Sequence, residues 1–482
     1  MKTFDPPNTP EQDDILNFAL TSKQSLLVNA LAGTAKTTTV ERLAIVDDRQ
    51  PILYVVFNKR NQLEAEKRMP GHVLCKTANA LGHGVWARHI GRRLVVSTRK
   101  TYDILKAVVD PLGRTEKGEA YRSFPEILAA VRTAKISGYI PPDKFAGMTP
   151  LCHDDPFEVE PTYLERYLLD KVLTLSIQAA FDGSIDFDDQ VYMPVLFGGT
   201  WPQFPLVVVD EAQDLSPLNH AMLARLVTGR LIAVGDPYQS IYAFRGAVQG
   251  GMEVLHRNYS TEVRTLSVSF RCPRAVVRNA HWRVPHFKYP EWADEGEVNH
   301  LEEWPAASIA EDAAIVCRSN APLLSCAFRL LRMGRSIKLV GSDIGPNLVR
   351  ALKKLGPESM TQTEMLDAID KAAHAAELKS RAIASTADKY DCLRVFANQS
   401  QTMGEAIARA EDVFKRGGAI QLLTGHKAKG LEFNTVYHLD PHRIPTPYAK
   451  TEEELEQEMN VKYVIETRAK QTLNITRLDF LT

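Results

Sequence analysis

No run of apolar residues in this 482-residue sequence is long enough to cross a bilayer, so no membrane-spanning helix is expected. No hydrophobic segment opens the chain either. It begins MKTFDPPNTPEQDD, acidic and proline-rich, and no signal peptide is expected there. The cysteines (Cys75, Cys152, Cys272, Cys317, Cys326 and Cys392) are scattered without a C-x-x-C pair. That spacing argues against a zinc or iron–sulfur framework and for reduced, mostly buried thiols in a cytoplasmic protein. Charge of one sign is also lacking: 58 Lys and Arg face 59 Asp and Glu, a formal net charge of -1. Binding to a nucleic acid could not rest on bulk charge and would need a local groove. Internal repeats and low-complexity tracts are absent as well.

What is present is ordinary globular composition, 44% hydrophobic and 24% charged, in a chain too long for one core. The most informative stretch is SLLVNALAGTAKTTTV, from Ser25 to Val40. Leu26–Val28 reads as a buried strand, a loop of small residues follows, and Lys36-Thr37 opens a helix. This is the layout of a phosphate-binding loop. Backbone N–H groups of Ala32 to Thr38 and the helix N-terminus would cradle phosphates, Lys36 would neutralise them, and Thr37 would hold Mg²⁺. The pattern G-x-x-x-x-G-K-[ST] asks for glycine at Ala30 and Ala35; Gly33 remains.

Upstream, Thr9-Pro10-Glu11-Gln12 carries a helix-start signal. The Gln12 amide offers a donor and an acceptor, which suits an adenine edge. Downstream, Pro51–Phe57 is a second buried strand, running through Asn58 into a helix expected over Gln62–Met69. Val73–Lys76 is a third strand, ending in Thr77, Ala78 and Asn79. Strand, helix and strand at this spacing predict a parallel sheet, whose carboxyl ends carry ligand loops. Phe57, Asn58 and Thr77 therefore fall on the working edge, although Phe57 also suits a core.

From about Gly84 to Gly183 the pattern turns helical and proline-broken, as in an insertion. Its basic opening (Arg88, His89, Arg92, Arg93, Arg99, Lys100) suits either a phosphate backbone or a solvated face. Ile185–Asp189 is expected to return the chain to the sheet. FPLVVVDEAQD, Phe204 to Asp214, then delivers Asp210 and Glu211 at a strand end. Paired acids there suit a Mg²⁺-dependent ATPase: one holds the metal, the other orients the attacking water. Leu231–Val234 is a further strand, followed by Gln239, Tyr242, Phe244 and Arg245. The aromatics offer faces for stacked bases, though each taken singly also suits a core.

Taken together, TPEQ, ALAGTAKTTT, LYVVFNKRNQ, CKTANALGH, DFDD, VVVDEAQD, VGDPYQSIYAFRGA, LSVSFRCP, LLTGHKAKGLEFNTVY and YVIETRAK stand in one order from residue 9 to residue 470. In this the chain resembles superfamily 1 helicases of the UvrD/PcrA/Rep type, and more so the core of the F-box DNA helicases and their phage and bacterial relatives. The resemblance implies an α/β fold of two RecA-like parallel-sheet domains with helical insertions. The first domain is expected over 1–90 and 184–255, with insertion 91–183. The second is expected over 256–344 and 418–482, with a shorter insertion at 345–417. Strands are expected at Thr265–Phe270, Asp312–Arg318, Ser336–Val340, Ile420–Thr424 and Thr435–Leu439.

By the same resemblance ATP and Mg²⁺ occupy a cleft between the domains. Lys36, Asp210, Glu211 and Gln239 act on it, Arg271 and Arg468 reach the γ-phosphate, Phe270 stacks on adenine beside Gln12, and Glu432 contacts the ribose. Single-stranded DNA and 3′-tailed duplex would meet Phe57, Asn58, Thr77, Asn79, Tyr242, Phe244, Arg245, His426 and Lys429, with 3′ to 5′ movement. Replication or repair proteins would be partners and the chain a monomer. Asn79 stands where relatives usually have His. The chain ends soon after Lys470, so no fused nuclease domain is expected. The readings to be separated are a helicase, a translocase that strips proteins but unwinds poorly, and a scaffold that has lost hydrolysis through Ala35.

Overall fold

The computed structural model describes residues 7–48, 50–142, 144–145, 147–157, 160–242, 250–341, 344–377 and 383–482. The chain forms two compact units: the first runs through Leu266 and the second starts at Ser267, with Leu31–Thr34 grouped in the second.

The strands of the first unit are β1 (Leu26–Ala30), β2 (Ile52–Val56), β3 (Val73–Thr77), β4 (Val95–Val96), β5 (Ser184–Ile185), β6 (Phe204–Val209), β7 (Val227–Gly235) and β8 (Glu262–Leu266). Six of them form one parallel sheet in the order β3-β2-β6-β7-β1-β8. Both faces are covered, which is why the strands read as continuous apolar runs. Ile52, Tyr54 and Val56 face a core with Ile15, Leu16, Val40 and Leu43. Leu53 and Val55 face the opposite core, shared with the insertion helices through Trp86, Ile127, Leu169 and Leu173. The loops after β2, β6, β7 and β1 thus leave side by side at one sheet edge.

Three readings are corrected here. Ile185 does not rejoin the sheet. β5 pairs with β4 in a separate two-stranded ribbon, and a helix, Asp189–Leu196, follows directly. The strand expected at Thr265–Phe270 lies earlier, as β8, and hydrogen-bonds to β1. Residues 256–266, expected in the second domain, therefore belong to the first unit, Glu262–Leu266 as a strand of its sheet. The helix after β2 starts at Lys59 rather than Gln62, because the Asn58 side chain caps it by accepting from Asn61 N–H at 2.8 Å.

In the second unit the strands are β9 (Glu297–His300), β10 (Ala314–Cys317), β11 (Ile337–Leu339), β12 (Ile420–Thr424), β13 (Phe433–Leu439) and β14 (Ala469–Thr476). They make a second parallel sheet in the order β11-β12-β10-β13-β14-β9. Helices Ile344–Leu355, Gln362–Glu377, Ile383–Asn398 and Met403–Val413 fill the stretch expected to be a helical insertion. Their apolar faces join Ile315, Leu422 and Tyr437 in one core. Among the described residues no helix is long and apolar enough to cross a membrane. All six cysteines are free, and Cys152 alone of them is not buried.

Candidate nucleotide and nucleic-acid site

The loop after β1 is shaped by two left-handed residues, Gly33 at φ +72° and Ala35 at φ +58°. Ala35 adopts the conformation that glycine would take without strain. It is also the N-cap of helix Lys36–Val46 and offers no side-chain cap, so the first-turn N–H groups are left for an anion. Thr34 Oγ1 donates to Leu31 carbonyl at 2.9 Å, which tightens the loop on itself. Ala32 is buried, while Gly33, Ala35, Lys36, Thr37 and Thr38 are partly exposed. Ala30 sits fully buried as the last residue of β1.

At the end of β6 the pairing with β2 continues one residue further, with Asp210 N–H donating to Val55 carbonyl at 3.0 Å. This fixes the Asp210 backbone on the sheet edge. Its Oδ1 accepts from Glu211 N–H and its Oδ2 from the Tyr54 hydroxyl, both at 2.9 Å. Glu211 then turns through φ +52°. That turn aims its carboxylate at the loop, where Oε1 pairs with Lys36 Nζ at 2.7 Å. The other oxygen, Oε2, accepts from Gln213 Nε2 at 2.6 Å. Gln213 Oε1 accepts from Asp236 N–H at 3.0 Å, and Asp236 Oδ2 accepts from Gln239 Nε2 at 2.6 Å. Lys36, Glu211, Gln213, Asp236 and Gln239 are therefore one hydrogen-bonded chain across the ends of β1, β6 and β7.

The electrostatics follow from burial opposed by pairing. Burial alone would lower the Lys36 pKa, but Glu211 and Asp210 outweigh it and hold the ammonium above its ordinary value. Burial pushes the Asp210 carboxyl up, with Lys36 pulling against it. Asp236, wholly buried, is pushed up to about 6 by desolvation, against the hydrogen bond from Gln239.

Gln12 is buried and turned inward. Its Oε1 accepts from Thr9 N–H at 3.0 Å in a capping box, and its Nε2 donates to Thr39 Oγ1 at 2.9 Å. The TPEQ stretch thus has a structural job at the start of the first helix. Phe57, 45% exposed, is not core, and its ring lies parallel to that of Tyr242 at 6.2 Å and 8°. Thr77 caps the next helix by accepting from Ala80 N–H, and Asn79 Nδ2 donates to Phe187 carbonyl at 2.8 Å. Phe244 and Arg245 lie outside the described residues.

Within the second unit, Arg271 holds Glu432 Oε1 through Nε at 2.7 Å and Nη2 at 2.6 Å. Arg468 is 1% exposed, with Nε donating to Val464 carbonyl and Nη2 to Thr467 Oγ1. Phe270 is 37% exposed, beside the Trp292 ring at 6.1 Å. His426 lies in the short helix Gly425–Ala428 after β12, with Lys429 as its C-cap.

The donor chemistry at the first sheet edge suits Mg²⁺. It offers a hydroxyl, Thr37, and carboxylates, Asp210 and Glu211, which are hard oxygen ligands beside a phosphate cradle. No group of three or more His, Cys, Asp or Glu able to hold a metal occurs among the described residues. Sequence reasoning missed Tyr54, Gln213 and Asp236. All three stand inside the quoted motifs LYVVFNKRNQ, VVVDEAQD and VGDPYQSIYAFRGA, and Tyr54 is the single hydroxyl in the apolar run PILYVVF.

A parallel sheet with a phosphate loop after β1, acids after β6 and a glutamine after β7 defines a P-loop nucleotide-binding α/β protein. The family description "UvrD/REP helicase N-terminal domain" matches residues 185–260, and "UvrD-like helicase C-terminal domain" matches residues 351–479. These two matches are consistent with a superfamily 1 UvrD-like helicase. The chain is similar to F-box DNA helicase protein 1 of Schizosaccharomyces pombe, 24% identical over 98% of this chain and 58% of that one. F-box DNA helicase 1 of Gallus gallus is 25% identical over 96% of this chain and 48% of its own. ATP-dependent DNA helicase UvrD1 of Mycobacterium tuberculosis is 26% identical over 66% and 48% respectively. The chain thus spans about half the length of these relatives. Among solved structures, an arterivirus nonstructural protein 10 (helicase) aligns over 96% of this chain and 61% of its own, at TM-score 0.35 and 13% identity, a likeness too loose to bear on function.

Proposed function

We propose that this chain is an ATP-driven motor on single-stranded DNA, moving 3′ to 5′ and opening duplex from a 3′ tail. The observation that carries the reading is the hydrogen-bonded chain from Lys36 through Glu211, Gln213 and Asp236 to Gln239. It links the loop lysine, the water-orienting acid and the γ-phosphate glutamine in one network. Lys36 and the loop amides bind and neutralise the phosphates. Thr37 and Asp210 hold Mg²⁺, which supplies charge neutralisation between phosphates. Glu211 orients the attacking water, and Arg271 and Arg468 are the candidate γ-phosphate contacts.

The Phe57–Tyr242 pair, an exposed ring parallel to a half-buried one, supports DNA as the track, because aromatic faces accept bases without regard to sequence. The names of the relatives, DNA helicases, support the same choice. Ala35 in the left-handed conformation favours a live loop over a scaffold that has lost hydrolysis. A monomer acting in the cytoplasm, in replication, repair or recombination, completes the proposal.

The test is ATP hydrolysis with and without single-stranded DNA, for the wild type and Lys36→Ala. DNA stimulation that disappears in Lys36→Ala is expected. No stimulation, together with an unchanged rate in Lys36→Ala, would sink the motor reading. Forked duplexes with 3′ or 5′ tails then separate a helicase from a translocase that unwinds poorly, and fix the polarity.

A further inference from the structure

Tyr54 is a tyrosine in the middle of a central strand whose neighbours are all aliphatic. It is 1% exposed and faces the apolar core with Ile15, Leu16 and Val40. A phenol buried there needs a partner for its hydroxyl. Tyr54 finds it at the sheet edge, where the hydroxyl donates to Asp210 Oδ2 at 2.9 Å. Two fixed donors therefore hold the carboxylate: Glu211 N–H on Oδ1 and Tyr54 on Oδ2. With the Asp210 backbone pinned to Val55, its side chain has one orientation. Phenylalanine would fill the same core volume without that donor, so packing does not account for the hydroxyl.

We propose that Tyr54 is a positioning residue for Asp210, holding its carboxylate in the orientation that binds the nucleotide-bound Mg²⁺. This rests on the ATPase reading above. Outer partners of metal-holding groups typically contribute about 10- to 100-fold in metal affinity or activity. One hydroxyl behind one carboxylate is expected at the lower end.

The experiment compares wild type, Tyr54→Phe, Asp210→Asn and the double variant. Binding of a fluorescent ADP analogue is titrated with and without Mg²⁺, beside the Mg²⁺ dependence of ATP hydrolysis. Tyr54→Phe should keep its affinity for the analogue without Mg²⁺. It should lose most of the tightening that Mg²⁺ gives, and its half-saturating Mg²⁺ should rise about tenfold. In the Asp210→Asn background the same substitution should add nothing. Unchanged Mg²⁺ dependence in Tyr54→Phe, or an equal loss in both backgrounds, overturns the proposal. A wild type that neither binds the analogue nor hydrolyses ATP would instead overturn the ATPase reading.

Discussion

Lys36 Nζ and Glu211 Oε1 lie 2.7 Å apart, joining the end of β1 to the end of β6. On the proposed reading the lysine would serve two tasks, meeting phosphate and balancing the acid that would orient water. The two partners should therefore fail differently. Lys36→Ala removes the ammonium charge proposed to meet phosphate and leaves Glu211 beside Asp210 without that cation, so nucleotide binding and hydrolysis should both be lost. Glu211→Gln keeps the shape and the contact to Gln213, so binding should stay within a few-fold while kcat falls at least about a hundredfold. Nucleotide-analogue binding and phosphate release, measured side by side, check the split. Equal loss of both in the two variants would contradict it.

Ala35 carries a further prediction. An alanine at φ +58° bears a steric cost, of order 1–2 kcal/mol, that glycine does not. Glycine gives part of that back through the freedom of its unfolded chain. Ala35→Gly should be stabilised by up to roughly 1 kcal/mol and should hydrolyse ATP at the same rate or faster. Urea unfolding and the steady-state rate are the measurements. A slower Ala35→Gly would mean that the methyl group itself orders the loop.

How much of this was legible in the sequence depends on range. β1, β2, β6 and β7 were readable because a strand buried on both faces writes a continuous apolar run. The polar residue ending each run then names the working edge. Strand partners were not readable. β8 joins β1 across more than two hundred residues, and no local pattern records that pairing, so the sequence alone puts residues 256–266 in the wrong unit. Side-chain direction was equally hidden. Gln12 and Lys100 look like solvent-facing polar residues, yet one closes a capping box and the other is buried against Asp189 at 2.6 Å. Spacing proposes residues for a site, while hydrogen bonds decide which of them face inward.

His220 sets an expectation for pH. It lies on helix Pro217–Leu226, neither ring nitrogen has a hydrogen-bond partner among the described residues, and burial pushes its pKa down to about 4. Above about 6.5, the usual histidine value, the ring is neutral whether the chain is folded or unfolded, so no linkage arises. Between that value and about 4 the unfolded chain binds a proton that the folded one refuses, and stability falls as pH falls. His220→Leu should remove this slope while leaving stability at pH 8 little changed. Urea midpoints across pH 4–8 check it, and an identical slope in both proteins would rule His220 out as the source.

The insertion is tied to the loop Asp186–Asp189 by two buried lysines. Lys100 Nζ meets Asp189 Oδ2 at 2.6 Å and Ser176 carbonyl at 2.7 Å. Lys135 Nζ meets Asp186 Oδ2 at 2.6 Å, Asp189 Oδ1 at 2.7 Å and Ser176 Oγ at 2.9 Å. Burial lowers the Lys100 pKa, whereas for Lys135 the two aspartates outweigh burial and raise it. Lys135 is the cation that bridges both aspartates. Removing one partner of a buried network typically costs about 3–5 kcal/mol, because the remaining charges stay desolvated and unpaired. Lys135→Met should lose stability on that scale. Adding Asp186→Asn should recover part of it, since one stranded carboxylate is then neutral. The loss should also release Phe187, whose carbonyl holds Asn79 in the first turn of helix Ala78–Ile90, just after β3. Hydrogen exchange should therefore rise at residues 186–189 before it rises in β6. Exchange rising evenly through the sheet would show that the lysines hold the whole unit together rather than this one loop.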